Sequence, residues 1–311
     1  MVDKFYLPQI FFNFVRCFHM TLKKNYKKII PHFFAGLGFC FSAAEFLDCE
    51  VLFNLDIGYN ILRSFFVYIT LIILIVVFVL NWESSECSSF INGTDIKITL
   101  KMGNIFNTNG SIIVPVNTNF DTSIHDGLVN EYSIQGQFQN KYFRNNVAGL
   151  DLQIEKALSK TTYTNSADKT IGKTKLYPIG TACKINTGRC SAYFFAAADI
   201  SDDGRLSINS SDIHHALISL WESINNGRVG ETLLIPLIWT GSPEISGVNR
   251  DSIIKEILYS FISFSKSKKI TEHLMIFINP KDNKNINWND ACEYMNHICK
   301  FGIGSSTDNR I

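Results

Sequence analysis

Seventeen consecutive residues, Ser64 to Leu80 (SFFVYITLIILIVVFVL), carry no charge. With Asn81 and Trp82 the run reaches about 20 residues, the length that crosses a hydrocarbon core. A soluble core helix would break such a run with polar positions at helical period. The stretch therefore predicts a transmembrane helix over 64–82, with Trp82 at the interface and Glu83 and Glu86 in water beyond it. A second candidate span, 29–47 (IIPHFFAGLGFCFSAAEFL), keeps Pro31, His32 and Glu45 near its ends. Its small residues, among them Ala35, Gly36, Gly38 and Ser42, would let another helix approach closely.

Basic residues set the expected orientation. Lys4, Arg16, Lys23, Lys24, Lys27 and Lys28 precede the first span, whereas Asp48, Glu50 and Asp56 dominate the connection between the spans. By the positive-inside rule the amino-terminal segment, 1–28, stays in the cytoplasm, and a two-span hairpin returns the rest of the chain there. The expectation is a multi-pass protein of the bacterial inner membrane with a cytoplasmic C-terminal domain.

Beyond the spans, residues 83–94 (ESSECSSFINGT) read as a polar, Ser-rich linker, 95–300 as one domain and 301–311 as a tail. The formal net charge of the whole chain is +1, which supplies no broad basic surface, so nucleic acid is not an expected partner. The eight cysteines form no CxxC pair and no Cys/His set at zinc spacing. They read as reduced thiols used as small apolar residues, with Cys292 and Cys299 on one helix face, and no metal is expected.

Strand-like runs occur at Ile96–Leu100, Ser111–Val116, Lys175–Ala182, Ala192–Ala198, Thr232–Trp239 and Leu274–Ile278. Helical periodicity occurs at Leu150–Leu158, Asp212–Ile224, Ser252–Phe264 and Trp288–Cys299. Interleaved strands and helices predict a three-layer α/β/α domain around a mixed sheet.

In such a sheet ligands bind outside the carboxyl ends of the strands. The residues that follow the predicted strands are Gly103, Asn104 and Ile105; then Asn117, Asn119 and Asp121; then Thr240, Gly241, Ser242, Glu244, Ile245, Ser246, Gly247 and Val248; and finally Asn279, Lys281 and Asp282. The third set is a Gly/Ser loop feeding a helix that Asn249 can cap. It either presents backbone N–H groups to a phosphate or is an ordinary turn. Neither GxxxxGK[ST] nor GxGxxG is present, which argues against a nucleoside triphosphatase or a dinucleotide site.

In this order the motifs resemble those of the macro domain, the ADP-ribose-binding module. Gly103-Asn104-Ile105 stands where that family has Gly-Asp-Ile beside the adenine. IVPVNTN, Ile113 to Asn119, is similar to its strand ending in Val-Asn-Ala-Ala-Asn, and IPLIWTG, Ile235 to Gly241, looks like the strand entering its diphosphate loop. With two spans in front, the layout looks like the transmembrane macro effectors of Thoeris, a bacterial antiphage system.

That resemblance implies a macro-like fold preceded by a transmembrane hairpin. It also implies an ADP-ribose-derived signal, histidine-ADP-ribose, made by a TIR-domain partner, with ligand-induced homo-oligomerisation and membrane disruption as the output. Gln135, Gln137 and Phe138 are candidates for the distal ribose or its attached group, or else a turn opening the next helix. Lys281 and Asp282 either flank the nucleoside or form a solvated turn.

Two features depart from the family. Asn104 replaces an Asp, so only a neutral amide oxygen is available to the adenine amino group. The Gly-rich stretch of ADP-ribosyl hydrolases is absent after Asn119, where the chain continues DTSIHDGLVNEYSIQGQF. A binding protein without catalytic residues or a cofactor is therefore the reading, with a membrane-tethered ADP-ribosyl hydrolase as the alternative.

Overall fold

The computed structural model describes residues 26–27, 29–43, 57–80, 85–144, 146–165, 169, 171–188, 190–200, 206–208, 211–224, 230–239, 249–280 and 285–302; along the second helix the side chains are described for Phe65 and 67–80. The chain divides into two compact units, Met1–Ser85 and Glu86–Ile311.

The first unit contains helix α1 (29–43) and helix α2 (Ile57–Leu80). They approach closely at Gly36, where an added Cβ would lie 2.9 Å from Ile73 Cγ2. Large apolar side chains remain exposed on both helices, Phe39 at 75% and Val67 at 66% among them. Among the described residues, however, no helix is long and apolar enough to cross a membrane. This overturns the expected transmembrane hairpin and, with it, the placement as a multi-pass inner-membrane protein with a cytoplasmic C-terminal domain.

The second unit begins directly with a strand, so the linker reading of 83–94 also needs correction: Glu86–Phe90 is β1. Its Ser-rich sequence resembles a linker, but Cys87 and Ser89 are half-buried while Ser88 and Phe90 point out, the alternation of an edge strand. Then follow β2 (Lys97–Met102), β3 (Ser111–Asn117), α3 (Ile134–Tyr142) and α4 (Val147–Ala157). The short β4 (Thr164–Asn165) and β5 (Lys175–Leu176) pair antiparallel, after which come β6 (Ala182–Asn186), β7 (Ser191–Ile200) and β8 (Leu206–Ser207). The chain closes with α5 (Asp212–Ile224), β9 (Leu233–Pro236), α6 (Arg250–Ser265), β10 (His273–Ile278) and α7 (Trp288–Phe301).

Among the described residues the main sheet runs β1-β2-β10-β9-β3-β7-β6, with β8 on β7. The inner pairs, from β2 to β7, are parallel and the two outer pairs antiparallel, so the sheet is mixed. The expected single run Lys175–Ala182 is two strands: Pro178 has no N–H to give a ladder, and Gly180 turns the chain at φ +93.

Strand alternation sends two sets of side chains to two helical layers. Ile112, Val114 and Val116 of β3 join Phe194 and Ala196 of β7 in a cluster with Phe138, Leu150 and Ile154 of α3 and α4. On the other face α5, α6 and α7 lie side by side, with Trp221 of α5 edge-on to Phe261 of α6 at 5.4 Å. The result is the three-layer α/β/α architecture. Cys87 and Cys292 are joined in a disulfide across β1 and α7, Cα to Cα 6.2 Å. The reading of these two as reduced thiols is thereby corrected; 205 residues separate them in sequence, and only the packing of α7 on β1 brings them together.

Candidate functional site

The parallel strands leave their carboxyl ends on one side of the sheet, and there the sheet splits. β3 and β9 pair only at Ser111 with Leu233 and Ile112 with Leu234. Beyond that point β3 follows β7 and β9 follows β10, with Pro115 in β3 and Pro236 in β9. Each proline lacks the N–H that a ladder would use. A β-bulge between Val116 and Asn117 turns the end of β3 further.

Three residues beyond each strand stands a non-glycine residue in left-handed conformation, Phe120 at φ 54 and Trp239 at φ 62. Such backbone persists only where the surroundings over-determine it. Phe120 is held by its ring, edge-on to Tyr177 at 5.5 Å, and by the Lys173 ammonium, which donates to its carbonyl at 2.7 Å. Trp239 reaches across the gap, donating its indole N–H to the Ala197 carbonyl of β7 at 2.7 Å.

After β3 the chain forms a buried polar knot. Asn117 Oδ1 accepts the Asp121 N–H at 3.0 Å, and Asn117 Nδ2 donates to Asp121 Oδ2 at 3.1 Å. Asp121, 1% exposed, also takes the Lys169 ammonium at 2.5 Å and the Lys173 N–H at 2.7 Å. Thr118 donates its hydroxyl to Asp199 at 2.7 Å, and Asn119 Nδ2 donates to the Lys175 carbonyl at 3.0 Å. Asn117, Asn119 and Asp121 are thus brought together. Their side chains hold the loop at the end of β3. Beside the loop lies a cavity of about 280 Å³ walled by Tyr163, Tyr177, Pro178 and Ile179, with Thr162, Thr164 and Asp199 supplying polar atoms. Burial pushes the Tyr177 hydroxyl above the ordinary tyrosine range, so it stays protonated at neutral pH.

At the end of β2, Gly103 donates its N–H to the Ile278 carbonyl at 3.0 Å, which ties this loop to β10. Asn104 is exposed and caps the short helix Ile105–Asn107, its Oδ1 accepting from the Phe106 N–H at 2.9 Å. Its amide oxygen keeps one lone pair, and among the described residues its NH2 has no partner. Asn279, at the end of β10, is exposed. β10 lies between β2 and β9, so the Asn104 and Asn279 loops stand on one side of the split and the Asn117 loop on the other.

Several expected contacts fall elsewhere. Phe138 is fully buried and packs at 5.4 Å on Phe194; it belongs to the core, because α3 turns that face to the sheet. Gln135 is buried and donates to the Asp121 carbonyl at 2.6 Å, so it braces the loop from behind. Gln137 is on the outer face of α3, bonded to the Tyr132 carbonyl. The Ile105 side chain is 2% exposed and packs in the core. Thr240, Gly241, Ser242, Glu244, Ile245, Ser246, Gly247, Val248, Lys281 and Asp282 lie outside the described residues. Asn249 caps α6, its side chain accepting the Ser252 N–H at 2.7 Å.

Lys169, Lys173 and Asp199 were not among the expected residues. The alternating lysines of KTIGKTK, 169–175, were the available signal, but a lysine run reads as a solvated turn until a buried carboxylate is found under it. Among the described residues no group of three or more His, Cys, Asp or Glu is placed to hold a metal ion.

A mixed sheet with this strand order, helices on both faces and a polar loop at the end of a central parallel strand defines a macro-type α/β domain. The family described as Thoeris protein ThsA, Macro domain, matches residues 98–279, well over half of the chain, and the chain belongs to that family. Thoeris protein ThsA of Bacillus amyloliquefaciens (strain Y2) is 22% identical over 260 residues, covering 80% of this chain and 82% of its own length. Among solved structures, the Oceanobacillus iheyensis macrodomain with ADP superposes with a TM-score of 0.46 at 12% identity, covering 68% of this chain and 98% of its own. A variant of that macrodomain with ADPR gives 0.45 at 11% identity, with the same coverage.

Proposed function

We propose that this chain is the ligand-sensing effector of a Thoeris antiphage defence system, and that its macro domain receives an ADP-ribose-derived nucleotide. The observation that carries this reading is the split between β3 and β9, flanked by the left-handed turns at Phe120 and Trp239 and by the exposed amide of Asn104. An adenine would sit beside Asn104, whose NH2 donates to a ring nitrogen and whose remaining oxygen lone pair accepts from the exocyclic amine. By resemblance of sequence, the diphosphate is assigned to the run from Thr240 to Val248. The distal ribose would meet the backbone of the Asn117–Asp121 loop, and the cavity beside Tyr163 and Asp199 offers room for a group carried beyond that ribose.

On this reading the ligand is a histidine conjugate of ADP-ribose made by a TIR-domain enzyme, and its binding favours self-association of the chain. Such a shift requires the ligand to prefer the associated arrangement; equal affinity for both would change nothing. Binding, not catalysis, is the role assigned to the site. Titration of the purified chain with ADP-ribose and with its histidine conjugate in a calorimeter tests it. Saturable heat at micromolar ligand, stronger for the conjugate, is the expected result, and no heat with either compound would overturn the reading.

A further inference from the structure

The disulfide between Cys87 and Cys292 has a position that gives it consequences beyond stability. Among the described residues β1 is the edge of the sheet and pairs with β2 alone. Cys87 is in register with Leu100, so only Lys101 and Met102 separate that level of the sheet from Gly103 and Asn104. Cys292 lies near the start of α7, the helix that follows β10 and its exposed Asn279. The bond therefore fastens strand and helix at the same end of the sheet as the Asn104 loop. At the opposite end of the β1–α7 contact, the Asn92 N–H donates to the Cys299 carbonyl at 2.8 Å.

Both bonded cysteines are half-buried. The two buried free thiols of this unit are poor competitors. Cys299 is buried against β1, where burial pushes its thiol up to about 11, and Cys183 is buried in the other layer and pushed up to about 12. Neither supplies much thiolate near neutral pH to attack this bond.

We propose that Cys87 and Cys292 form a reversible thiol–disulfide site, opened by a low-molecular-weight thiol and closed by the corresponding disulfide, whose state sets how firmly β1 and the first turns of α7 are held beside the Asn104 loop. In opening, a thiolate attacks one sulfur of the pair, and the other leaves as a cysteine thiolate that takes a proton. A second thiolate then resolves the mixed disulfide. The net change is one protein disulfide and two small thiols converted to two protein thiols and one small disulfide. Closure reverses it, with the small disulfide as oxidant. The closed form links positions 205 residues apart and so restricts fraying of an edge strand that otherwise has one neighbour.

The test uses the purified full chain equilibrated in buffers of graded glutathione to glutathione disulfide ratio, with thiol alkylation, peptide mass mapping and hydrogen exchange. The expected result is that Cys87 and Cys292 pass together, and reversibly, from linked to doubly alkylated. Amides of 86–102 and 288–299 then exchange about tenfold faster in the open form, while those of 233–236 are unchanged. Cys87→Ser and Cys292→Ser each show the fast rates in both buffers. Alkylation of the two cysteines under oxidising conditions, or identical exchange in both buffers, would overturn the proposal; the wild-type measurement decides even if a variant fails to fold.

Discussion

A carboxylate at 1% exposure needs partners that replace water, and Asp121 has an ammonium, an asparagine amide and a backbone N–H. Lys169 is 15% exposed, so its pairing with Asp121 is a buried one, and Lys169→Met would leave the carboxylate uncompensated. The expected loss is about 3 kcal/mol of stability in urea unfolding. Lys173→Met, at a more open pair with Asp151, should lose about 1 kcal/mol. His273 offers a second test. Its Nε2 lies 2.8 Å from the Thr99 hydroxyl, and burial first, then the nearby Lys97 charge, hold its pKa below the ordinary histidine value. The folded chain then binds fewer protons than the unfolded one as the pH falls through about 6.5. Stability from this group is complete above that value and declines below it. His273→Gln should flatten the drop in thermal midpoint between about pH 7 and pH 5.5. At this scale the sequence shows Asn117, Asn119 and Asp121 as residues after a strand. It does not show that Asn117 bonds Asp121 and that Asp121 bonds Lys169, because the second depends on a loop contact 48 residues away.

Elements were legible where periodicity is strong and hidden where a polar sequence is folded against something. The buried parallel strands β3 and β10 read directly as apolar runs, and Trp288–Cys299 as an amphipathic helix. β1 did not, since two serines and a cysteine carry no β signal on their own; pairing with β2 and packing of α7 make it a strand. α3 was read only as a possible turn and helix start, with Phe138 aimed at a ligand. The helix forms because Ser133 caps it, accepting the Gly136 N–H at 3.0 Å, and that cap fixes the turn on which Phe138 faces the core. Gly136 is required for this docking: an added Cβ would lie 2.3 Å from the Asn130 carbonyl oxygen and 2.6 Å from Glu131 Cα. Backbone cannot yield as a side-chain tip can, so Gly136→Ala should lower stability by about 2 kcal/mol and loosen the Asp121 loop that Gln135 braces, read by urea unfolding and amide exchange at 117–122.

For the whole molecule, the first unit was read from hydropathy alone, and that reading failed at its most consequential point: among the described residues no helix is long and apolar enough to cross a membrane. What the two helices do present is exposed apolar surface, including Phe39 and Val67, of a kind that marks interaction sites. If ligand binding favours self-association through it, Phe39→Ser with Val67→Ser should leave ligand affinity unchanged and reduce ligand-dependent assembly in analytical ultracentrifugation at least tenfold in apparent association constant. The central claim is that a nucleotide enters the split between β3 and β9. Hydrogen exchange of the full chain with and without histidine-ADP-ribose tests it most directly. The account predicts protection concentrated at 103–107, 117–122 and 237–239, with the β6 edge of the sheet unaffected; binding that protects other surfaces and leaves those three segments unchanged would contradict it.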